Sequence, residues 1–226
     1  MQNRRASARD SLSRYAFENL TRRRWWRLLA KRSLYTVLRA AYPFDRWHCR
    51  VVRENCRYFD RVRALHGELR PDATVEVGSG LGEIVSGLES PILIGVDRDA
   101  AVIRAARLLR GRRVTFLHMS ELERMESLLG QSASACLLFL NWFHVYRPEE
   151  VQRFAREYVR RTNATHVIFD VINEGPGGYR FRHTPEMLLD IGPIIAVRDA
   201  GDGIRRLVAL RANHGNQSAR LHDANE

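Results

Sequence analysis

A glycine-rich turn behind a short hydrophobic run is the part of the sequence that most directly indicates chemistry. The stretch VEVGSGLGEI covers residues 75–84, and Gly78, Gly80 and Gly82 alternate in it with other residues. Glycine tolerates positive φ and lets a ligand approach the backbone, so such a turn predicts a nucleotide-like or anionic ligand. We expect the turn to lead from a first strand into a helix over 82–89, whose N-terminal N–H groups would face the ligand.

Two details of the turn separate the possible ligands. The dinucleotide fingerprint needs a third glycine three residues after the second, whereas position 83 is glutamate. A carboxylate, Glu76, also lies two residues before the first glycine. It would repel a pyrophosphate, but it suits a ligand with an ammonium or sulfonium group. The turn therefore counts against a dinucleotide-dependent dehydrogenase.

An acidic residue at the end of the second hydrophobic run supports a nucleoside ligand. Asp97 lies within GVDRD, about 20 residues after the turn, where an acid can accept hydrogen bonds from both ribose hydroxyls. Asp97 could instead cap the next helix, and Asp99 is a rival for that cap. The position of Asp97 relative to the turn favours nucleoside binding.

Short hydrophobic runs alternate with helical patterns through the middle of the chain. The runs predict strands at 74–80, 92–97, 114–119, 135–141 and 166–172. The segments between them predict helices at 82–89, 99–110, 120–129 and 148–161. This alternation is typical of βαβ units and of a parallel sheet covered on both faces.

Two further hydrophobic runs, IIAVRDA and IRRLVALRA, are separated only by residues 201–203. So short a connection can join only antiparallel strands, which predicts a hairpin at the end of the sheet. We expect the domain that contains the sheet to cover 68–213, and a flexible tail to follow at 214–226.

The N-terminal part of the chain is strongly basic. The net charge is +11, and residues 1–65 carry 17 Lys and Arg against 5 Asp and Glu, so the remainder is almost neutral. We expect a disordered basic tail over 1–16 and a helical cap over 17–67. The cap would contain one helix at 17–41 and a second at about 47–66.

The first cap helix has an amphipathic pattern. The apolar residues at three- and four-residue steps are Trp26, Leu29, Leu34, Val37, Leu38 and Ala41. The basic residues on the other side are Arg23, Arg27 and Lys31. Three interpretations stay open: a cap packed over the ligand with solvated arginines, a helix on an anionic membrane surface, and an RNA-binding arm.

The motifs and their order resemble those of class I S-adenosylmethionine-dependent methyltransferases. EVGSGLG (76–82) matches the acid-x-Gly-x-Gly-x-Gly first motif of that family, and Asp97 matches the second motif. HMSELE (118–123) stands where the family contacts adenine, with Ser120 in place of the usual Asp. LFLNWFHVYRPEE (138–150) matches the motif at the fourth strand.

The resemblance implies a fold, a cofactor and a set of binding residues. The fold would be α/β: a doubly wound, seven-stranded, mainly parallel sheet with a C-terminal antiparallel hairpin and an N-terminal helical cap. The cofactor would be S-adenosylmethionine, whose activated methyl group is transferred to an acceptor. The cofactor-binding residues would be Glu76, Gly78, Ser79, Gly80, Gly82, Asp97, Arg98, Ser120, Glu121 and Asn141.

The acceptor is expected beyond the carboxyl ends of the strands, where open α/β sheets bind ligands. His144 is the candidate general base, because an imidazole titrates near neutral pH; a structural or solvated histidine is the alternative. The loop at 173–187 is the candidate acceptor loop, unless it is an ordinary connector. The candidate substrate-binding residues are Trp142, for which core packing is an alternative, Tyr179, Arg182 and His183.

The sequence after the fourth strand restricts the acceptor. NWFH (141–144) lacks the two prolines of the family members that methylate exocyclic amines of bases or glutamine amides. The resemblance therefore favours a small-molecule, saccharide or lipid-linked acceptor, commonly an oxygen. An RNA or other nucleic-acid methyltransferase, and a binding protein that has lost catalysis, remain as alternatives.

Cysteines and hydrophobicity exclude other classes. The three cysteines form no paired framework, which favours a reducing compartment. His48, Cys49 and Cys56 match no zinc spacing, so we expect ordinary helix residues and no metal. No signal-peptide pattern and no run of about 18 apolar residues is present. We expect a cytoplasmic protein, or one peripheral to the inner face of the membrane.

Overall fold

The computed structural model describes residues 22–49, 56–130, 132–172 and 180–213. Within these ranges the side chains of 22–25, 27, 28, 47 and 56 are not described. The basic tail predicted over 1–16 and the flexible tail predicted over 214–226 lie outside the described residues.

A seven-stranded sheet forms the centre of the described chain, and its strand order is β3-β2-β1-β4-β5-β7-β6. The first five strands of this order are parallel, and β7 runs antiparallel to both β5 and β6. This confirms the predicted mainly parallel sheet with a terminal hairpin. The strands are β1 (Ala73–Val77), β2 (Ile92–Asp97), β3 (Thr115–His118), β4 (Ala135–Phe139), β5 (His166–Ile172), β6 (Ile194–Asp199) and β7 (Arg205–Arg211).

Helices cover both faces of the sheet, because its strands are apolar on both sides. The α-helices are α1 (Arg22–Ala41), α2 (Cys56–Leu69), α3 (Ala100–Arg110), α4 (Leu122–Leu129) and α5 (Pro148–Thr162). Helices α2 and α3 pack on one face of the sheet, and α4 and α5 pack on the other. Short 3₁₀ helices lie at Arg46–Cys49, Val85–Gly87, Phe143–Val145 and Pro185–Leu188. None of the helices in the described ranges is long and apolar enough to cross a bilayer.

The predicted α-helix over 82–89 is wrong, since this segment contains turns and a three-residue 3₁₀ helix. A helix would need the N–H of Val85 to bond to the carbonyl of Leu81. Instead, Val85 N donates to Glu76 Oε2 at 3.0 Å, and Leu81 O accepts from Arg110 Nη1 at 2.9 Å. Side chains thus satisfy both backbone groups and replace the helical bond.

The cap helix α1 packs on α3 through a side whose described buried residues share only Leu38 with the face that its pattern predicted. Tyr35 and Leu38 are buried in a cluster that includes Leu81 and residues of α3. Trp26 and Val37, which the pattern assigned to the apolar side, are 60% and 67% exposed. Two apolar arcs lie on this helix, and the periodicity could not decide which of them packs inward.

Candidate active site

A cavity of about 480 Å³ lies at the carboxyl edge of the sheet. Strand β1 pairs in parallel with β2 and β4, and Val77 lies opposite both Val96 and Phe139. The residues that follow these three strands therefore meet at one edge. Gly78, Asp97 and His144 all line the cavity.

The glycine turn forms one wall of the cavity. Gly78, Gly80 and Gly82 have φ values of +74°, +53° and +71°, which L-residues with a side chain rarely adopt. A Cβ atom on Gly78 would lie 2.8 Å from Trp142 Cδ1, and one on Gly80 would lie 2.9 Å from His48 Nδ1. Two rings thus close against the turn at positions where only glycine leaves room.

Asp97 holds the turn rather than the next helix. Its Oδ2 accepts from Gly80 N at 2.9 Å, and its Oδ1 accepts from Asp99 N at 3.0 Å. Asp99 is the N-cap of α3, since its carboxylate accepts from the N–H groups of Ala101 and Val102. The alternative in which Asp97 caps the helix is therefore wrong, and its carboxylate lies in the cavity wall.

Glu76 is a carboxyl group in a nearly dry environment. It is 3% exposed, and its burial raises its pKa to about 8, although the hydrogen bond from Val85 N and the charge of Arg110 act against this rise. At neutral pH the side chain is therefore mostly protonated. A positively charged ligand beside it would favour the ionised form.

Ser79 provides a second polar group in the same wall. Its hydroxyl oxygen is buried and has no hydrogen-bond partner among the described residues. Buried polar groups are nearly always hydrogen-bonded, so an orphaned hydroxyl in a cavity wall fits a ligand that supplies the bond.

Glu83, which the sequence analysis did not select, joins the glycine turn to the cap. Its nearly buried carboxylate accepts from Tyr35 Oη and pairs with Arg110, and Lys31 Nζ lies 2.9 Å from its Oε2. Arg110 Nη2 also donates to Tyr35 Oη at 2.9 Å. Lys31, assigned to the solvated side of the helix, thus faces the protein. A carboxylate directly after the third glycine was the only signal for this site.

The cap also contributes directly to the cavity. Asp45 and His48 line it from the segment after α1. His48 was interpreted as an ordinary helix residue, and the structure places its ring against Gly80 instead. Among the described residues, no group of three or more His, Cys, Asp or Glu side chains could hold a metal ion.

Ser120 and Glu121 do not line the cavity. Ser120 Oγ lies 2.7 Å from His118 Nδ1, and Glu121 Oε2 accepts from His118 N at 2.8 Å. Both side chains thus bind the end of β3, and the neighbouring Met119 lines the cavity in their place. Arg98 also lines it and donates to Tyr146 Oη at 3.3 Å.

The segment after β4 forms the wall that faces the glycine turn. Asn141 adopts φ +58°, and its N–H donates to Asp170 Oδ1 at 3.0 Å. Trp142 stacks on Phe139 and also lines the cavity, so the same ring packs on the core and forms part of the cavity wall.

His144 lies in this wall, and burial lowers the pKa of its imidazole. The nearby carboxylate of Asp170 acts against this shift, whereas Arg205 and His183 add to it. The ring is therefore mainly neutral at pH 7, the form in which it can accept a proton.

Of the other candidate acceptor residues, the two that the structure describes do not line the cavity. His183 is buried, its Nε2 lies 2.9 Å from Phe143 O, and it supports the 3₁₀ turn after β4 without lining the cavity. Arg182 is exposed and does not line the cavity either. Tyr179 lies outside the described residues. The candidate acceptor loop is thus described only from residue 180 onward.

This sheet, with its antiparallel last strand and its cavity beside the glycine turn, has the fold of class I S-adenosylmethionine-dependent methyltransferases. The chain is similar to the methyltransferase domain of the bacterial protein CtHen1, with 14% identity, 70% of this chain and 97% of that one covered, and a TM-score of 0.53. It is also similar to magnesium protoporphyrin IX methyltransferase (ChlM) from Synechocystis PCC 6803 with bound SAH, with 15% identity, coverages of 69% and 82%, and a TM-score of 0.53. No protein-family model and no curated protein matches the sequence.

Proposed function

We propose that the chain is an S-adenosylmethionine-dependent methyltransferase that methylates a hydroxyl oxygen of a small-molecule, saccharide or lipid-linked acceptor. One observation carries the proposal: a glycine turn with two buried acids, Glu76 and Asp97, shares a cavity with the neutral imidazole of His144. The turn offers the groups that a charged nucleoside needs, and the imidazole offers the base that a hydroxyl acceptor needs.

Three side chains fit the cofactor. Each oxygen of Asp97 accepts one backbone N–H and retains capacity for a ribose hydroxyl. Glu76 would be ionised beside the positive charge, and Ser79 Oγ would gain a partner. When bound, S-adenosylmethionine supplies a methyl group that its sulfonium has already activated.

The residues of this chain would hold the acceptor and take its proton. His144 would accept the proton of the acceptor hydroxyl, because burial keeps its imidazole neutral at pH 7. Trp142 and His48, whose rings lie against Gly78 and Gly80 of the turn, would limit the space around the reacting groups and exclude water.

Calorimetry tests the cofactor assignment. We expect S-adenosylmethionine and its demethylated product to bind, and Asp97→Asn to weaken both at least about tenfold. Binding near pH 7 should release a proton from Glu76, so the measured enthalpy should depend on the ionisation enthalpy of the buffer. That dependence should disappear in Glu76→Gln. Tight binding of NAD without a response to S-adenosylmethionine would overturn the assignment.

Transfer of labelled methyl groups tests the acceptor and the base. Oligosaccharides, lipid-linked sugars and RNA are offered in parallel, and the label is expected in an ether linkage of one of the first two. His144→Gln should lower kcat at least about a hundredfold, in the range of a general base. His48→Gln, the other histidine of the cavity, serves as the matched variant. Near-normal turnover of His144→Gln would exclude the base.

An RNA acceptor is the second candidate, and the charge of residues 1–65 is the observation that favours it. In this case the label would appear in RNA, and transfer would fall steeply as salt is raised. Label found in RNA would mean that RNA is the acceptor in place of a saccharide or small molecule. The cofactor assignment would be unaffected.

A further inference from the structure

The cap helix α1 presents an apolar face to solvent. Trp26, Leu34 and Val37 are 60%, 45% and 67% exposed. At 3.6 residues per turn they share an arc of about 80° and span about 16 Å along the helix axis. Ala30 and Ser33 are also exposed and lie on or beside the same arc. We call the side chains of Trp26, Leu34 and Val37 the outward face.

The outward face does not include Tyr35 or Lys31, whose described contacts hold the helix on the protein. Tyr35 is buried, and it lies at least about 100° around the helix from each residue of the outward face. Tyr35 and Lys31 bind Glu83 of the glycine turn. These contacts fix the helix to the domain, while each side chain of the outward face stays at least 45% exposed.

Charge complementarity identifies the chemistry of the partner. Helix α1 contains seven basic residues and no acidic residue. An exposed apolar stripe with Trp on a strongly basic helix is the pattern of helices that lie in the interface of anionic bilayers. RNA would engage the basic groups but would leave aliphatic Leu34 and Val37 uncovered.

A second copy of the chain fits this face poorly. Stable protein interfaces bury about 800 Å² per partner, whereas the outward face comprises three side chains of one helix. In a symmetric pair, the seven basic residues of one helix would also face the same charges on the other.

We propose that α1 docks on an anionic membrane surface, with the outward face in the interfacial layer and the positive charge of the helix attracted to the anionic headgroups. Docking does not depend on the proposed methyl transfer. Because the same helix binds Glu83, a docked α1 holds the glycine turn and its cavity close to the lipid headgroups.

Vesicle sedimentation of the full-length chain tests the proposal. We expect binding to vesicles that contain phosphatidylglycerol, little binding to pure phosphatidylcholine, and weaker binding at high salt. The triple variant Trp26→Gln, Leu34→Gln, Val37→Gln should lower the partition coefficient at least about tenfold. The control Leu108→Gln, Leu128→Gln removes two exposed side chains of α3 and α4 and should bind like the wild type.

Glutamine is a good helix former, so the triple variant should fold. If it proves unstable, Val37→Gln alone should still weaken binding about threefold. Wild-type-like binding of the triple variant would overturn the proposal, as would a failure of the wild type to bind anionic vesicles. An equal loss of vesicle binding in the control variant Leu108→Gln, Leu128→Gln would also contradict the proposal. Tighter binding to polyuridylate than to vesicles, unchanged in the triple variant, would assign the basic side chains to a nucleic acid instead.

Discussion

The backbone N–H of Asn141 donates to Oδ1 of Asp170 at 3.0 Å, which connects the turn after β4 to a buried residue of β5. The other oxygen of this carboxylate accepts from Tyr58 Oη at 2.9 Å and from Arg205 Nη1 at 3.2 Å. Asp170 thus joins α2 and the β6–β7 hairpin to the segment that carries His144. The wall of the cavity depends on a residue that does not line it.

Asp170→Asn should destabilise the fold. The amide removes the negative charge from a pair that is buried on both sides, although Arg205 keeps its contact with Asp202. We expect a loss of about 3 kcal/mol in the free energy of unfolding, measured in urea. Asp190→Asn breaks the exposed pair with Arg156 and should change stability by less than about 1 kcal/mol. Similar losses in both variants would contradict this role.

Gly80→Ala should be destabilising for two separable reasons. Alanine at φ +53° is strained, and its Cβ would meet the ring of His48. Gly203 has φ +72° with open space around it, so Gly203→Ala should cost only the backbone strain, about 1–2 kcal/mol. We expect Gly80→Ala to cost at least about 1 kcal/mol more, because of the ring contact. In the double variant Gly80→Ala, His48→Ala, this extra loss of unfolding free energy, measured in urea, should disappear.

Glu76 should make the fold less stable as pH rises. Its pKa of about 8 in the folded chain exceeds the ordinary value of 4.5, so between these values the native state holds a proton that the unfolded chain releases. The contribution of Glu76 to stability should therefore fall with rising pH across this window, by up to about 1.4 kcal/mol per pH unit. The unfolding free energy of Glu76→Gln, measured in urea, should lack this dependence on pH. The variant Glu89→Gln changes an exposed position and should retain the dependence.

His66 should have the opposite effect at lower pH. Its Nε2 lies 2.8 Å from Thr74 Oγ1, and burial lowers its pKa from 6.5 to about 4. Between these values the unfolded chain binds a proton that the native state does not, so stability should be lost as pH falls from 6.5 towards 4. Because Glu76 titrates across the same range with the opposite sign, the effect is measured in the Glu76→Gln background, where the fall in unfolding free energy from pH 7 to pH 5 should shrink on the further change His66→Gln. An unchanged difference would mean that His66 does not titrate in this way.

Much of the site could be predicted because the strands of the sheet could be predicted. Continuous apolar runs fixed the parallel strands, and the carboxyl ends of neighbouring strands must meet at one edge. Glu76, Gly80, Asp97 and His144 follow from that rule, and all four line the cavity. Their roles in binding and proton transfer stay predictions.

The remaining features depend on contacts that spacing does not encode. Helix α1 carries two apolar arcs, and the contact of Tyr35 with Glu83 decides which one is buried. The same contact holds the cap on the turn, and His48 lies over Gly80 in the segment that follows α1. Ser120 does not line the cavity, and the 2.7 Å contact of its hydroxyl with His118 Nδ1 could not be read from the sequence.

The ion pair between Lys31 and Glu83 has a practical consequence, because Lys31 is the only lysine in the chain. A reagent specific for amines has one side-chain target in this protein, besides the terminal amine. That target lies at the joint between the cap and the glycine turn, and its amine is accessible enough to react. A fluorophore attached there by reductive alkylation, which keeps the amine positively charged, would report when the cap separates from the turn.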